Sequence, residues 1–215
     1  MKPPFDRVAF DADSTLSAIE GIDELAKMRR IDVSELTTRA MRGEVPLEKV
    51  YGLRLDLVRP DASMLARLGE LYVERRVRGA APTIAALRRA GIEVWIVSGA
   101  LRPALLPLAA SLDIPGHRVY AVDVSLDGEG RYAGFDARSP LARSDGKRVV
   151  LEELRDRARR TAMVGDGATD LAAAPAVDAF FAFTGVARRE EVAARATREV
   201  HSFGDLKKIL LPAKR

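Results

Sequence analysis

Short apolar segments that run directly into polar residues recur along this chain of 215 residues. The clearest cases are residues 8–10 before Asp11 and Asp13, residues 93–97 before Ser98 and Gly99, and residues 161–164 before Asp166 and Asp170. Segments of this length and apolar content predict buried strands. Strands that alternate with helices predict a parallel sheet, and ligands bind such sheets at the carboxyl ends of the strands. The sequence therefore predicts an α/β fold with a site where these polar residues meet.

Strand and helix patterns alternate through most of the chain, which predicts a doubly wound parallel sheet. The predicted strands lie at residues 6–11, 93–97, 161–164, 179–183 and 199–202, and two further short strands between residues 118 and 135 form a hairpin. The predicted helices lie at residues 83–90, 101–112, 189–196 and 206–211, with one beginning at Lys147 and a short one near Leu171.

Residues 17–76 interrupt this alternation, because they show only helical periodicity. Four apolar stripes are present, and the second predicted helix begins at Asp32 with Glu35 in a capping-box arrangement. The segment directly follows the loop that holds Asp11, so we expect it to cover the site. The predicted domains are therefore an α/β core of residues 1–16 and 77–215 and an inserted helical cap of residues 17–76.

Composition narrows the class of protein. The net charge of +4 and pI near 9.6 could indicate a nucleic-acid partner. The arginine pairs are scattered and lie beside acids, however, which predicts a solvated surface and no nucleic-acid partner. No apolar leader and no run of about 20 apolar residues is present, so we expect a cytoplasmic protein that does not bind membranes. The absence of cysteine excludes disulfides and thiolate metal sites.

Four charged residues, two after the first strand and two in the helical segment, are open to two interpretations. Asp11 and Asp13 could bind a metal or act as nucleophile and acid, or they could cap an ordinary turn. Arg54 shares an apolar sector of its predicted helix with Val58, and Glu20 follows the first loop. These two could face a ligand, or they could be an exposed arginine and a glutamate favoured at a helix start.

Taken together, these motifs resemble the haloacid-dehalogenase superfamily of phosphatases and, within it, the phosphoserine phosphatase family. The resemblance rests on Asp11-x-Asp13-Ser14-Thr15, Ser98-Gly99, Lys147 and the segment Gly-Asp-Gly-Ala-Thr-Asp at residues 165–170. It extends to residues 20–26, 39–50, 132–136 and 178–180, and it covers nearly the whole chain. It implies a Rossmann-like doubly wound core with an inserted helical cap.

The resemblance also implies a role for each of these residues. Asp11 would be the nucleophile that forms an aspartyl-phosphate, and Asp13 would be the general acid and then the general base. Mg²⁺ would be the cofactor, bound by Asp11, Asp166 and the backbone carbonyl of Asp13. The residues implied to hold the phosphate are Ser98, Gly99, Lys147 and Thr169, with Asp170 supporting them. The residues implied to bind the rest of the substrate are Glu20, Met41 and Arg54.

The activity implied by the resemblance is hydrolysis of O-phospho-L-serine to serine and phosphate, in serine biosynthesis. The alternative is a related phosphatase or phosphotransferase for another small phosphomonoester, such as phosphohomoserine, phosphothreonine or phosphoethanolamine. A third class, a binding protein without catalysis, would not require Asp11, Asp13 and Lys147 together. The residues that depart from the family pattern, and so bear on the substrate, are Arg42, Leu47, Ala100 and Thr184.

Overall fold

The computed structural model describes residues 3–33, 36 and 47–211, without the side chain of Leu47. Its strands are β1 (Arg7–Phe10), β2 (Glu93–Leu101), β3 (Val119–Val122), β4 (Val124–Leu126), β5 (Tyr132–Phe135), β6 (Thr161–Gly165), β7 (Ala179–Phe183) and β8 (Arg198–Val200). Six of these form a parallel sheet in the order β3-β2-β1-β6-β7-β8, and β4 and β5 form a separate antiparallel hairpin. The predicted α/β class is confirmed.

Helices connect the strands of the sheet. The described helices are α1 (Gly21–Arg29), α2 (Leu47–Val58), α3 (Ala62–Glu74), α4 (Ala80–Arg89), α5 (Arg102–Ser111), α6 (Gly146–Glu153), α7 (Ala168–Ala172), α8 (Glu190–Arg195) and α9 (Phe203–Leu210). The chain moves outward from β1 to β3 and then returns to the other side of β1 at β6. Right-handed crossovers in opposite directions place helices on both faces of the sheet.

The central strands form the core of the sheet. Every residue of β6 and β7 is buried, and β1 is buried from Val8 to Phe10. Continuous apolar runs of this kind are typical of parallel strands that are covered on both faces. Phe10 lies in register with Ile96 on one side and with Val164 on the other. The segments that follow β1 and β6 therefore emerge side by side.

The helices α1, α2 and α3 lie between β1 and α4. The chain leaves and re-enters the core at one place, where the N–H of Val77 donates to the carbonyl of Leu16 at 2.9 Å. The N–H of Ala18 donates to the carbonyl of Arg75 at the same distance, and Ser17 and Arg76 form an antiparallel bridge. Two adjacent connections thus join this helical segment to the sheet.

Most predicted elements of the core are confirmed to within a few residues at each end. Two expectations were wrong in detail. Strand β2 continues through Ser98 and Gly99 to Leu101, so these residues lie within the strand rather than after it. The region from residue 118 to 135 contains three strands, because Val119–Val122 joins the main sheet before the hairpin begins. The predicted capping residue Glu35 lies outside the described residues.

No helix within the described ranges is both long enough and apolar enough to cross a membrane.

Candidate active site

The site lies at the carboxyl edge of the sheet, between β1 and its two neighbours. The N–H of Asp11 still donates to the carbonyl of Val164 at 2.9 Å, so Asp11 is held at the end of β1 beside β6. A cavity of about 310 Å³ opens above this edge. Its lining includes nine of the predicted site residues: Asp11, Asp13, Glu20, Arg54, Ser98, Gly99, Lys147, Asp166 and Thr169. The strand order reverses between β1 and β6, and a doubly wound sheet offers a crevice for ligands at such a point.

Lys147 lies at the start of α6 and its side chain is almost completely buried beneath the cavity. Its ammonium is 2.7 Å from Oδ2 of Asp11 and 2.6 Å from Oδ1 of Asp170. Although burial opposes it, these two carboxylates raise the pKa of Lys147. The residue is therefore a permanent cation at the floor of the site, in contact with the predicted nucleophile.

Asp11, Asp166 and Asp170 form a cluster of buried carboxylates. One oxygen from each residue lies within 4.8 Å of the others. Carboxylate oxygens are hard ligands of the kind that divalent cations such as Mg²⁺ prefer. This donor set fits a metal ion, and Asp11 and Asp166 are two of the residues predicted to bind one.

Asp170 is the third carboxylate of this cluster, and other groups hold it. Its Oδ1 accepts from Lys147, and its Oδ2 accepts from the N–H of Gly167 at 2.9 Å. Burial and the neighbouring Asp11 raise the pKa of Asp170 to about 7, against the opposing effect of Lys147. A Cβ at Gly165 would lie 2.1 Å from the Asp170 carboxyl carbon, so only glycine leaves room for this side chain.

Asp13 lies in the tight turn that follows β1, and its carboxylate accepts two hydrogen bonds. The hydroxyl of Tyr72 donates to Oδ1 at 2.5 Å and the N–H of Gly21 donates to Oδ2 at 3.2 Å. Burial, Glu20 and Asp11 nevertheless raise the pKa of Asp13 to about 8. A carboxyl group that keeps its proton near neutral pH suits a general acid.

The end of β2 brings polar groups to the opposite wall. Ser98 is buried, and its Oγ accepts the N–H of Ala100 at 3.2 Å. A Cβ at Gly99 would lie 3.2 Å from the carbonyl oxygen of Leu141, so β2 passes close to the backbone of the turn at Pro140–Ala142. Thr169 lines the cavity from the first turn of α7. Hydroxyl and backbone donors of this kind can bind the oxygens of a phosphate group.

The helical segment contributes Glu20 and Arg54 to the cavity. Glu20 accepts a hydrogen bond from the hydroxyl of Ser14 at 2.7 Å. Arg54 is half-buried and forms an ion pair with Asp23 of α1. The Nε of Arg54 is buried and meets no hydrogen-bond acceptor among the described residues. Arg54 is thus not a freely exposed arginine, and it keeps one donor that a ligand could use.

Three residues of the site were missed by the sequence analysis. Arg188 and Arg189 form one of the scattered arginine pairs, but Arg189 lines the cavity and forms an ion pair with the Asp166 carboxylate. Its other Nη is 3.6 Å from Glu20. Tyr51 and Tyr72 lie in the apolar stripes of the segment 17–76, whose pattern predicts only helix packing, but the hydroxyl of each reaches the site. No local signal identifies these three residues, because each belongs to an element distant from β1 in sequence. Met41, predicted to line the pocket, lies outside the described residues.

A family model and the sequences of known relatives place this chain in the same protein family. A model of the haloacid dehalogenase-like hydrolases matches residues 5–178. A phosphoserine phosphatase of Bos taurus is 37% identical over 205 residues, which cover 94% of this chain and 91% of the relative. The chloroplastic phosphoserine phosphatase of Arabidopsis thaliana is 38% identical over 205 residues, covering 93% of this chain and 70% of the relative.

Solved structures agree on the fold. A phosphoserine phosphohydrolase-like protein from Francisella tularensis superimposes with a TM-score of 0.80 at 21% identity, over 96% of this chain and all of that protein. The predicted resemblance is confirmed, since both the family model and the relatives extend over most of the chain. The chain belongs to the haloacid dehalogenase-like hydrolases and, within them, to the phosphoserine phosphatase family, whose members are phosphoric monoester hydrolases.

Proposed function

We propose that this protein hydrolyses O-phospho-L-serine to serine and phosphate in two steps, with Asp11 as the nucleophile. The observation that carries the proposal is that one cavity joins the buried Asp11–Lys147 pair to Glu20 and Arg54. The first pair suits a phosphoryl group, and the second suits an ammonium and a carboxylate. The relatives in Bos taurus and Arabidopsis thaliana carry the same activity in their names.

In the first step, a carboxylate oxygen of Asp11 attacks phosphorus in line with the ester oxygen, and an aspartyl-phosphate forms as that bond breaks. Asp13 donates its proton to the departing serine oxygen. In the second step, Asp13 accepts a proton from the water that attacks the phosphorus, the bond between Asp11 and phosphorus breaks, and phosphate leaves with the Asp11 carboxylate restored. Division of one difficult hydrolysis into two steps is the advantage of a covalent intermediate. The raised pKa of Asp13 fits the first of its two tasks.

The residues proposed to hold the phosphoryl oxygens surround Asp11. Lys147 supplies a fixed positive charge, and Ser98, Gly99 and Thr169 offer hydroxyl and backbone donors. Phosphoryl transfer depends largely on such positioning and on neutralisation of charge. Asp170 holds Lys147 in place, since it accepts from the same ammonium that contacts Asp11.

The proposed cofactor is Mg²⁺, because the donor set consists of oxygen ligands alone. Asp11, Asp166 and the backbone carbonyl of Asp13 would hold the ion, and the bound ion would neutralise negative charge on the transferring phosphoryl group. We expect an excess of EDTA to abolish hydrolysis and added Mg²⁺ to restore it. Full activity in protein shown to be free of metal would contradict this part of the proposal.

We further propose that residues 17–76 act as a cap over the site and the remaining residues form the core. The segment joins the core through two adjacent connections near Ser17 and Arg76, as expected of a unit inserted into the core. Closure of such a unit would exclude water while the phosphoryl group is transferred. Limited proteolysis with and without a phosphate mimic would test whether ligand protects the described connections at Ser17 and Arg76.

The substrate is tested by phosphate release from matched esters. We expect phosphoserine to be hydrolysed with a higher kcat/KM than phosphothreonine, phosphohomoserine or phosphoethanolamine, since only the correct spacing engages Glu20 and Arg54 together. Equal rates across the four esters would remove the phosphoserine assignment and favour the alternative, a phosphatase for another small phosphomonoester. No hydrolysis of any ester with Mg²⁺ present would contradict the reaction class itself.

A further inference from the structure

A tyrosine of the helical segment is hydrogen-bonded to the strand that carries the predicted phosphate-binding residues. The hydroxyl of Tyr51 in α2 donates to the backbone carbonyl of Gly99 at 2.8 Å. The ring of Tyr51 packs edge-on against Phe135 of β5, with centroids 5.3 Å apart. Tyr51 lines the cavity and is half-buried there. This contact therefore joins α2 to the core at the site itself.

The same peptide unit is held at its other end. The carbonyl of Gly99 accepts from Tyr51, and the N–H of Ala100, which belongs to that peptide, donates to Oγ of Ser98 at 3.2 Å. A peptide group that is hydrogen-bonded at both ends is fixed in orientation, and each bond polarises the other. Tyr51 is thus connected to the Ser98 hydroxyl through one peptide plane.

The connection bears on what Ser98 can do. A serine hydroxyl has one hydrogen to donate and lone pairs to accept. Because Oγ of Ser98 accepts from Ala100, its own hydrogen is left to donate to a different group. Ser98 lines the cavity together with Asp11 and Lys147, so a phosphoryl oxygen bound beside Asp11 would be an acceptor for this hydrogen.

We propose that Tyr51 is a positioning residue that couples the placement of α2 over the site to the orientation of the Ser98 hydroxyl. The proposal rests on the proposed function. When α2 lies over the core, the Tyr51 bond holds the Gly99–Ala100 peptide in the orientation that presents Ser98 to phosphate. When α2 moves away, that peptide loses one of its two restraints.

Arg54 provides an internal contrast, because it lies one helical turn after Tyr51 on α2. Arg54 is proposed to hold the substrate carboxylate, whereas Tyr51 acts at the phosphate end. Loss of Arg54 should therefore affect phosphoserine but not esters that lack a carboxylate. Loss of the Tyr51 hydroxyl should affect every phosphate ester to the same degree.

The test is Tyr51→Phe, which removes the hydroxyl and keeps the ring against Phe135. A net contribution typical of one hydrogen bond predicts a decrease in kcat/KM of about 3- to 10-fold. The decrease should be equal for phosphoserine and p-nitrophenyl phosphate, and inorganic phosphate should bind more weakly by a similar factor. Tyr120→Phe is the matched control, since Tyr120 packs against Trp95 and does not line the cavity. It should change neither quantity.

A second variant shows whether Tyr51 acts through Ser98. In a Ser98→Ala background, the effect of Tyr51→Phe on phosphate binding should disappear, because the hydroxyl that it orients is gone. An equal effect in both backgrounds would overturn the proposal. So would no effect of Tyr51→Phe on either ester, or an effect confined to phosphoserine. If the wild-type protein hydrolyses neither ester, the proposed function fails, and calorimetric binding of inorganic phosphate still decides the role of Tyr51.

Discussion

The ammonium of Lys147 lies 2.7 Å from the carboxylate of Asp11, and both groups are buried at the carboxyl edge of the sheet. Removal of two charges from water is costly, and a close ion pair recovers part of that cost. The pair also has a chemical use in the proposed reaction. A phosphoryl group that approaches Asp11 also approaches the Lys147 cation, so its negative charge is neutralised at the place where the nucleophile attacks.

Stability should depend on this pair. We expect Lys147→Met to leave Asp11 and Asp170 buried without their shared cation, and to lower the free energy of unfolding by about 3–5 kcal/mol. The measurement is urea unfolding at neutral pH in EDTA. Lys208→Met is the control, because Lys208 forms an exposed pair with Asp205 and should change stability by less than about 1 kcal/mol. Equal small effects of the two variants would show that the buried pair adds little.

Asp11 and Asp13 should differ in what they contribute. We expect Asp11→Asn to abolish turnover, because no carboxylate remains to attack phosphorus. Asp13→Asn should reduce kcat by about 10²- to 10⁴-fold, the usual contribution of a general acid. Beryllium fluoride should bind Asp11 in the wild-type protein as a mimic of the phosphorylated state, detected by ¹⁹F NMR. Normal turnover by Asp11→Asn would rule out the aspartyl-phosphate.

Arg54 should discriminate between substrates. We expect Arg54→Ala to reduce kcat/KM for phosphoserine. The decrease should correspond to an increase in activation free energy of about 2–5 kcal/mol, the cost of breaking a buried charge pair. Hydrolysis of p-nitrophenyl phosphate and phosphoethanolamine should change little, because neither carries a carboxylate. Arg67→Ala is a control at an exposed arginine of α3 that pairs with Glu70 and Glu74. An equal loss on all three esters would mean that Arg54 stabilises the fold instead.

Arg189 should compete with a cation for Asp166. Its guanidinium pairs with the Asp166 carboxylate, so binding of Mg²⁺ requires this contact to loosen. We expect Arg189→Ala to bind Mg²⁺ up to about 5-fold more tightly, as suits a half-exposed pair worth no more than about 1 kcal/mol. Calorimetric titration of metal-free protein measures this. Arg188→Ala, which breaks pairs with Glu190 and Glu199, should leave the affinity unchanged. Weaker binding by Arg189→Ala would mean that Arg189 helps to orient Asp166.

A network of ion pairs around Glu93, at the amino-terminal end of β2, predicts that the stability of the protein depends on pH. Glu93 is partly buried, which opposes ionisation, but Arg159, Arg7 and Arg118 lower its pKa below the ordinary value of 4.5. A carboxyl group with a lowered pKa in the folded state stabilises the protein above its unfolded pKa, and this contribution is lost as the pH falls through the folded value. We expect Glu93→Gln to unfold more easily than the wild type at pH 7, by about 1 kcal/mol. In urea titrations the difference should shrink as the pH falls below the ordinary value of 4.5 and should be lost once the pH has passed through the lowered folded value. A constant difference at all pH values would contradict the electrostatic cause.

The residues that follow β1 and β6 could be predicted from the sequence with little ambiguity. Apolar runs of three to five residues identify the strands, and in a doubly wound sheet the residues after adjacent strands meet at one edge. Asp11, Ser98 and Asp166 were therefore expected to share a site, and they do line one cavity. The roles of the individual residues stay predictions, since they come from the resemblance and require the experiments above.

Asp170 shows where prediction from motifs loses detail. Its place in the segment after β6 predicted a supporting position, but not that it would accept from Lys147 and the Gly167 N–H and carry a pKa raised to about 7. Burial accounts for the raised pKa more than any neighbour does. The degree of burial is set by the packing of several elements, so the local sequence does not contain it.

The sequence by itself determined most strands and helices of the core and the identity of the residues at the strand ends, because these follow from local periodicity. Only the tertiary structure decided that Arg189 reaches Asp166, that Tyr51 reaches Gly99 and that Tyr72 reaches Asp13. Each of these contacts joins residues at least 20 positions apart. In the sequence, the two tyrosines fit the apolar stripes of helices and the arginine fits a solvated surface, so neither pattern predicts the contact. Their geometry depends on how the insertion and the last loops pack over the sheet, and that packing is a property of the whole chain.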